Sequence, residues 1–331
     1  MSGDLILVTG GGGFIGSNVT AALAARGQRV IVCDWLETGD KWRNLEDVDL
    51  YDIVPPTLLN ETLRKHDDRI SAIVHMGAIS ATTERDADRL VENNVRLTID
   101  LWDWSIASGA SFLYASSAAV YGDGAQGFDD DWSVEALARL RPLNGYGWSK
   151  LVADRRFARD VAEGAPTPRH WAGLRFFNVY GTREEHKGSM RSVVSQITPR
   201  VTAGERVTLF RSHHPDYEDG GQLRDFVHVD DCVSVILWLL DHPEANGIFN
   251  LGTGQARSFR DLATSVFVAL DRDPAIDFVD TPVEIRDRYQ YFTQAEMGRL
   301  RAAGYDRPFA SLEEGVAGTV RDWTQRYGGN R

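Results

Sequence analysis

Residues 5–16, "LILVTGGGGFIG", constrain the fold more than any other stretch of the chain. Leu5 to Thr9 form an unbroken run of mostly branched apolar side chains, the composition of a central strand buried on both faces of a parallel sheet. Gly10, Gly13 and Gly16 follow in the pattern G-x-x-G-x-x-G, where that strand must turn into a helix. Glycine serves three needs there: a tight turn, close approach of backbone N–H groups to a pyrophosphate, and close packing of helix on strand. A flexible turn also yields glycine triplets, but the strand before and the helix after point to a dinucleotide cradle. The second predicted strand ends in Asp34, 24 residues after Gly10, where a carboxylate reaches adenosine ribose hydroxyls and favours NAD over NADP. Lys41 and Arg43 follow closely. They either neutralise a 2′-phosphate or simply face water, so cofactor preference stays open.

Similar short apolar runs recur at 29–34, 72–78, 111–117 and 173–181, with helical periodicity between them at 15–26, 58–66, 84–108 and 148–162. This alternation predicts right-handed βαβ units and an α/β, Rossmann-like, doubly wound parallel sheet. After about residue 181 it loosens. A helix is expected near 190–203, then "VTLF", a polar loop "RSHHPDYEDGGQLR", and "DFVHVDDC" running into a helix at 232–241. "GIFNLGTG" reads as one more buried strand; helices follow near 258–270 and 311–326, the second opened by Ser311 and Glu314 as a capping box. The expected layout is a dinucleotide-binding domain of 1–177 plus 226–257, and a smaller α/β substrate lobe of 178–225 and 258–331.

With 331 residues the chain can bury a large core. Its 48 acidic against 36 basic residues, net −12, argue against nucleic acid as a partner, so any anionic ligand must be held locally. Cys33 and Cys232 sit singly in apolar runs, which predicts reduced, buried thiols and a cytoplasmic protein. No metal-ligand spacing is visible; His213 and His214 lack a third ligand and read as surface residues. No basic leader and no apolar stretch of membrane-spanning length occur, so a soluble protein without membrane engagement is expected.

"YGWSK" places Tyr146 and Lys150 four residues apart on one helix face. A free phenol has a pKa of about 10, too high for a base near neutrality, and an adjacent ammonium stabilises its phenolate. The same lysine can hydrogen-bond a nicotinamide ribose. "YASSAAVYG" ends the fourth predicted strand with Ser117, either a hydrogen-bond partner for a reacting hydroxyl or ketone, or a strand-end turn serine.

Together these motifs resemble the extended short-chain dehydrogenase/reductase family acting on nucleotide sugars, nearly end to end. Members that dehydrate the sugar carry Asp-Glu where this chain has Ala118 and Ala119, so elimination lacks its proton carriers. "RFFNVYGTREEHKGSM", "NGYGWSK", "RDFV", "RYQYFTQAE" and "LRAAGYDRPF" carry a more specific resemblance, to the branch of ADP-glyceromanno-heptose 6-epimerases. The resemblance implies NADP as cofactor with NAD possible, an ADP-heptose substrate of lipopolysaccharide synthesis, and a homo-oligomer such as a pentamer. It assigns acid/base roles to Tyr146 and Lys187. A carbinol C–H with no carbonyl beside it is not acidic, so inversion must pass through a transient ketone. If rotation about one carbon–carbon bond then presents the other face, the oxygen occupies two places, and each needs a proton carrier within reach. On its own, Lys187 in "REEHKGSM" would read as a solvated side chain.

The same matching puts Asn178, Ser189, Gln196, Phe210, Arg224 and Tyr289 with Ser117 around the substrate. It puts Phe14, Ile15, Trp35, Met76, Gly77, Ala78, Asn93 and Val179 at the cofactor, beside Gly10, Gly13, Gly16, Asp34, Lys41, Tyr146 and Lys150. Arg224 would clamp a diphosphate or pair with Asp225 or Asp230, and Tyr289 would face substrate or merely pack. Trp35, Pro56 and Gln196 depart from the branch's usual asparagine, lysine and histidine, and loop 211–223 is longer. Two rival readings are another nucleotide-sugar epimerase or reductase on this scaffold, and a catalytically silent dinucleotide-binding protein. The second is disfavoured by Ser117, Tyr146 and Lys150.

Overall fold

Apolar runs with no polar interruption have nowhere to go but the middle of a sheet, and the computed structural model, which describes residues 4–286 and 290–327, places them there. The strands are β1 (Leu5–Thr9), β2 (Arg29–Cys33), β3 (Asp52–Val54), β4 (Ile70–His75), β5 (Ser111–Ser117), β6 (Trp171–Phe176), β7 (Asn178–Tyr180), β8 (Val207–Phe210), β9 (Leu223–His228), β10 (Gly247–Leu251), β11 (Ala256–Ser258) and β12 (Ile276–Val279). Seven form one sheet in the order β10-β6-β5-β4-β1-β2-β3. All neighbours in it are parallel. The strand order reverses between β1 and β4, the crevice where doubly wound sheets bind ligands. β1 is buried along its whole length, as its composition requires.

Helices cover both faces. On one, Phe14–Ala25 lies beside Val229–Asp241, and Val19, Leu23, Val233 and Ile236 join one apolar cluster with β1, β2 and β6. On the other, Leu97–Ser108 and Gly145–Ala162 meet through Trp102 and Phe157, whose rings stack 4.0 Å apart. A third core lies between helices Val193–Thr202, Phe259–Ala269 and Leu312–Tyr327, around Val194, Ile197, Leu262, Val266 and Val316. Two small sheets accompany it, β11-β9-β7 and β12-β8. Among the described residues no helix is long and apolar enough to cross a membrane.

Several boundaries differ from expectation for local reasons. The run 173–181 is two strands in different sheets: β6 pairs with β5 and β10, whereas β7 pairs with β9. The turn between them is closed by the Val179 N–H donating to the Phe177 carbonyl at 3.0 Å. The predicted helix 84–108 is interrupted by a π-helical segment, Val91–Arg96, a distortion that often accompanies functional sites. The helix expected at 232–241 starts at Val229, because the His228 ring accepts from the Asp230 N–H and ends β9. Ser311 and Glu314 form the expected reciprocal cap, at 2.9 and 3.2 Å. Both cysteines are buried and free.

Candidate active site

The C-terminal ends of β1, β2, β4, β5 and β6 open onto a cleft of about 750 Å³. Gly10, Gly13, Phe14, Ile15, Gly16, Asp34, Lys41, Met76, Gly77 and Ala78 line one side. The glycines are sterically enforced: a Cβ on Gly16 would lie 2.1 Å from the Gly10 carbonyl oxygen, and one on Gly10, at φ 66°, 2.5 Å from the Gly77 nitrogen. The Asp34 carboxylate accepts from the Gly12 N–H at 2.9 Å and from the Lys41 ammonium at 2.8 Å, so its charge is already matched. Lysine proves scarce in this chain, four residues of 36 cationic ones, yet three of the four (Lys41, Lys150 and Lys187) line this cleft.

Asn144 caps helix Gly145–Ala162 by accepting from the Gly147 N–H, and so fixes the turn that carries Tyr146. Tyr146, Lys150 and Ser117 all face the cleft. Burial pushes the Tyr146 phenol up, and its hydrogen bond with Ser117 pulls it partly back. Desolvation is the larger of these two influences. Burial also pushes Lys150 down to about 8, against an upward pull from Asp154. The Lys150 ammonium is enclosed and has no hydrogen-bond partner among the described residues. An orphaned cation beside a glycine cradle is the donor that ribose hydroxyls of a bound dinucleotide would satisfy, so the residues present fit that cofactor.

Lys187 also lines the cleft, on the 3-10 segment Glu185–Met190, which kinks at Gly188 (φ 55°). Burial lowers its pKa, opposed by Glu184, and its ammonium lies 5.1 Å from the Phe14 ring centroid. Glu184 anchors this segment: its carboxylate accepts from the Ser192 N–H at 2.6 Å, from the Ser192 hydroxyl, and from the Gly181 N–H at 3.4 Å. The neighbouring His186 ring meets the Asn44 amide at 3.0 Å, and that amide donates to the Gly12 carbonyl at 3.0 Å. Asn18 donates to the carbonyls of Phe14 and Thr182. The Lys187 segment is thereby tied to the glycine loop. None of Asn18, Asn44, Glu184 or His186 was marked by the sequence, because short polar residues in loops carry no periodicity; the rarity of lysine was the usable signal for Lys187.

Asn178 and Val179 also line the cleft. Asn93 lies outside its lining, with its amide donating to the Arg89 carbonyl at 2.8 Å. Its neighbour Asn94 is the buried one, bonded to the N–H and carbonyl of Ile79 and to the Ser149 hydroxyl. Trp35 is half exposed, and Ser189 and Gln196 lie on the surface, where the Gln196 amide donates to the Ser189 and Arg191 carbonyls. Phe210 ends β8, away from the cleft lining. Arg224 is buried, donating to the carbonyls of Leu223, at 2.8 Å, and Gln290, and packing 5.7 Å from the ring of Phe259, a cleft residue. Asp225 instead receives four hydrogen bonds, from Thr253, Gly254 and Ala295. Tyr289 falls outside the described residues.

Comparison with known proteins agrees with this geometry. The family model described as "NAD dependent epimerase/dehydratase family" matches residues 6–252. The ADP-L-glycero-D-manno-heptose-6-epimerase of Nitratidesulfovibrio vulgaris (strain Hildenborough) is 48% identical over 323 residues, covering 96% of this chain and 97% of that one. The crystal structure of the Helicobacter pylori ADP-L-glycero-D-manno-heptose-6-epimerase superposes with a TM-score of 0.78 at 26% identity, covering 97% of this chain and 96% of that one. That of the Thermus thermophilus UDP-glucose 4-epimerase in complex with NAD gives 0.74 at 27% identity, with 96% and 98% covered. A strand-ended glycine cradle, an enclosed lysine beside a tyrosine, and similarity on this scale together make the chain a member of the NAD dependent epimerase/dehydratase family.

Proposed function

We propose that this cleft inverts carbon 6 of ADP-D-glycero-D-manno-heptose to give ADP-L-glycero-D-manno-heptose. The observation that carries the reading is the arrival of Tyr146 and Lys187 in one cleft from two separate elements. A bound nicotinamide dinucleotide supplies a hydride acceptor that returns the same hydride. The chain's own side chains handle protons. One of Tyr146 and Lys187 takes the proton of the carbon 6 hydroxyl as the carbonyl forms; after rotation about one carbon–carbon bond, the other gives a proton to the oxygen on its new side. Ser117, hydrogen-bonded to the phenol, holds the oxygen near Tyr146. Lys150 would hold the nicotinamide ribose, and the glycine loop the pyrophosphate.

Asn178 and Arg224 are the substrate contacts best supported, by cleft position and by packing on Phe259 respectively. NADP is the proposed cofactor, with NAD also accepted. Lys41 both offsets the Asp34 charge and stands ready for a 2′-phosphate. The cleft runs between the large sheet and residues of 178–193, Phe259 and Leu262. That position supports a division into a cofactor domain (1–177 with 226–257) and a substrate lobe (178–225 with 258–331). A cytoplasmic homo-oligomer, a pentamer by resemblance, completes the reading.

The test is incubation of the purified protein with ADP-D-glycero-D-manno-heptose and no added cofactor. Interconversion of the two heptoses is expected, driven by cofactor that copurifies. Turnover confined to UDP-hexoses, or cofactor binding without turnover, overturns the reading.

A further inference from the structure

Below Tyr146 and Lys150, on the same helix, lies a third residue at the same spacing. Tyr146, Lys150 and Asp154 occupy successive turns of Gly145–Ala162 and therefore one face. Asp154 is fully buried and rigidly held: it accepts from the Tyr114 hydroxyl at 3.0 Å, the Ser116 hydroxyl at 3.0 Å and the Arg175 guanidinium at 3.1 Å. Arg175, also fully buried, donates onward to the Tyr121 hydroxyl at 2.9 Å, which donates to Asn250 at 2.6 Å. One carboxylate thus sits between two enclosed cations, with Arg175 at the core end and Lys150 at the cleft end.

A buried ammonium with no hydrogen-bond partner should shed its proton, because low dielectric penalises the charged form. We infer that Asp154 is a positioning residue that keeps Lys150 an ammonium, so that the cleft end of this charge ladder presents a cation to the phenol and to a bound ribose. The inference rests on the reading just given for its catalytic meaning. Its physical content, the charge state of Lys150, stands apart from any substrate. Asp34 in the same cleft is already paired with Lys41 at 2.8 Å, and the other titratable groups nearer Lys150 are not anions. His75 on β4 is held neutral, pushed down to about 3 by burial; Tyr114 on β5 is pushed far up; Arg175 on β6 is a cation; and Lys187 and His186 across the cleft are basic. The upward pull of Asp154 on Lys150 agrees with this assignment.

Four lysines in the whole chain make the test clean. Lysine isotopically labelled at its ε-carbon gives four resonances, and Lys150→Arg identifies the relevant one. In the wild-type protein the Lys150 resonance should stay that of an ammonium through neutrality and titrate near pH 8. A neutral Lys150 at pH 7 overturns the inference without any variant. Asp154→Asn leaves Arg175 buried without its partner, so Asp154→Asn/Arg175→Gln, a neutral amide pair, is measured beside it. In a folded variant the Lys150 titration should drop, by about one unit or more in Asp154→Asn and by less in the double variant, where loss of the Arg175 cation partly offsets it. The alkaline limb of the kcat profile should move the same way, while Asp154→Glu should move it less. A Lys150 titration unchanged in the folded double variant also overturns the inference. If the wild type turns over no heptose, the functional reading fails while the lysine titration still decides the role of Asp154.

Discussion

At the scale of single residues, the proposed reaction needs two proton carriers, and the two candidates in the cleft differ in kind. Burial pushes Tyr146 up, away from neutrality, and Lys187 down, toward it, so the phenol needs nearby positive charge before it can act as a base. Lys187→Met keeps the apolar stem against Phe14 and removes only the proton carrier. Epimerisation should fall about 10²–10⁴-fold, the worth of a positioned acid/base. Cofactor content, read by absorbance, and the unfolding midpoint should stay at wild-type values; near-normal turnover would remove Lys187 from the chemistry. The Tyr146–Lys150 spacing and the glycine pattern were legible in the sequence because local geometry alone demands them. Asn44 and His186 were not, since their partners lie 32 and 142 residues away along the chain. Asn93 and Asn94 show the same limit at finer grain. Adjacent residues in a π-helical segment face different surroundings, and nothing in the letters says which amide is enclosed.

At the scale of elements, strands β1, β2, β4, β5, β6 and β10 announced themselves through short apolar runs. The short strands β3, β11 and β12 did not, because half-exposed segments of three or four residues have no apolar run to show. No residue of the 3-10 segment bearing Lys187 is fully buried. Its position therefore leans on hydrogen bonds as well as on packing, and those of the buried Glu184 are among them. Glu184→Ala leaves the Ser192 N–H and hydroxyl without their acceptor, a loss of about 1–3 kcal/mol in stability. Because the segment carries the proposed second proton carrier, kcat should fall by about tenfold or more, since small misplacements of a catalytic group are costly. Glu184→Gln, which retains one acceptor oxygen, should lie between wild type and Glu184→Ala in both denaturation and turnover. A stability loss with kcat untouched would show that Lys187 is positioned by something else, with the His186–Asn44–Gly12 chain the next contact to break.

At the scale of the molecule, the sheet's switch point gathers the first βα unit, the tyrosine helix and the Lys187 segment at one end, and polar ties add to the apolar packing that holds them in register. His75 is the deepest such tie. It is fully buried, with Nδ1 2.6 Å from the Thr9 hydroxyl on β1 and Nε2 2.9 Å from the Thr98 hydroxyl on the covering helix. Burial pushes it from 6.5 to about 3, so between those values the unfolded chain binds a proton there and the folded chain does not. Its contribution to stability is complete above pH 6.5 and declines as pH falls, by about 2 kcal/mol at pH 5. Asp130 acts with the opposite sign: pushed up to about 6, it is protonated in the fold before it is in the unfolded chain, so acid favours its folded form over that window. The net acid profile is a sum of both, which is why the measurement must be a difference. Urea denaturation of wild type and His75→Asn at pH 7 and pH 5 isolates one group. The wild type should lose about 2 kcal/mol more than the variant over that interval. An equal loss in both would mean that His75 takes up its proton inside the folded protein, and that the Thr9–His75–Thr98 tie beneath the glycine loop tolerates a charge.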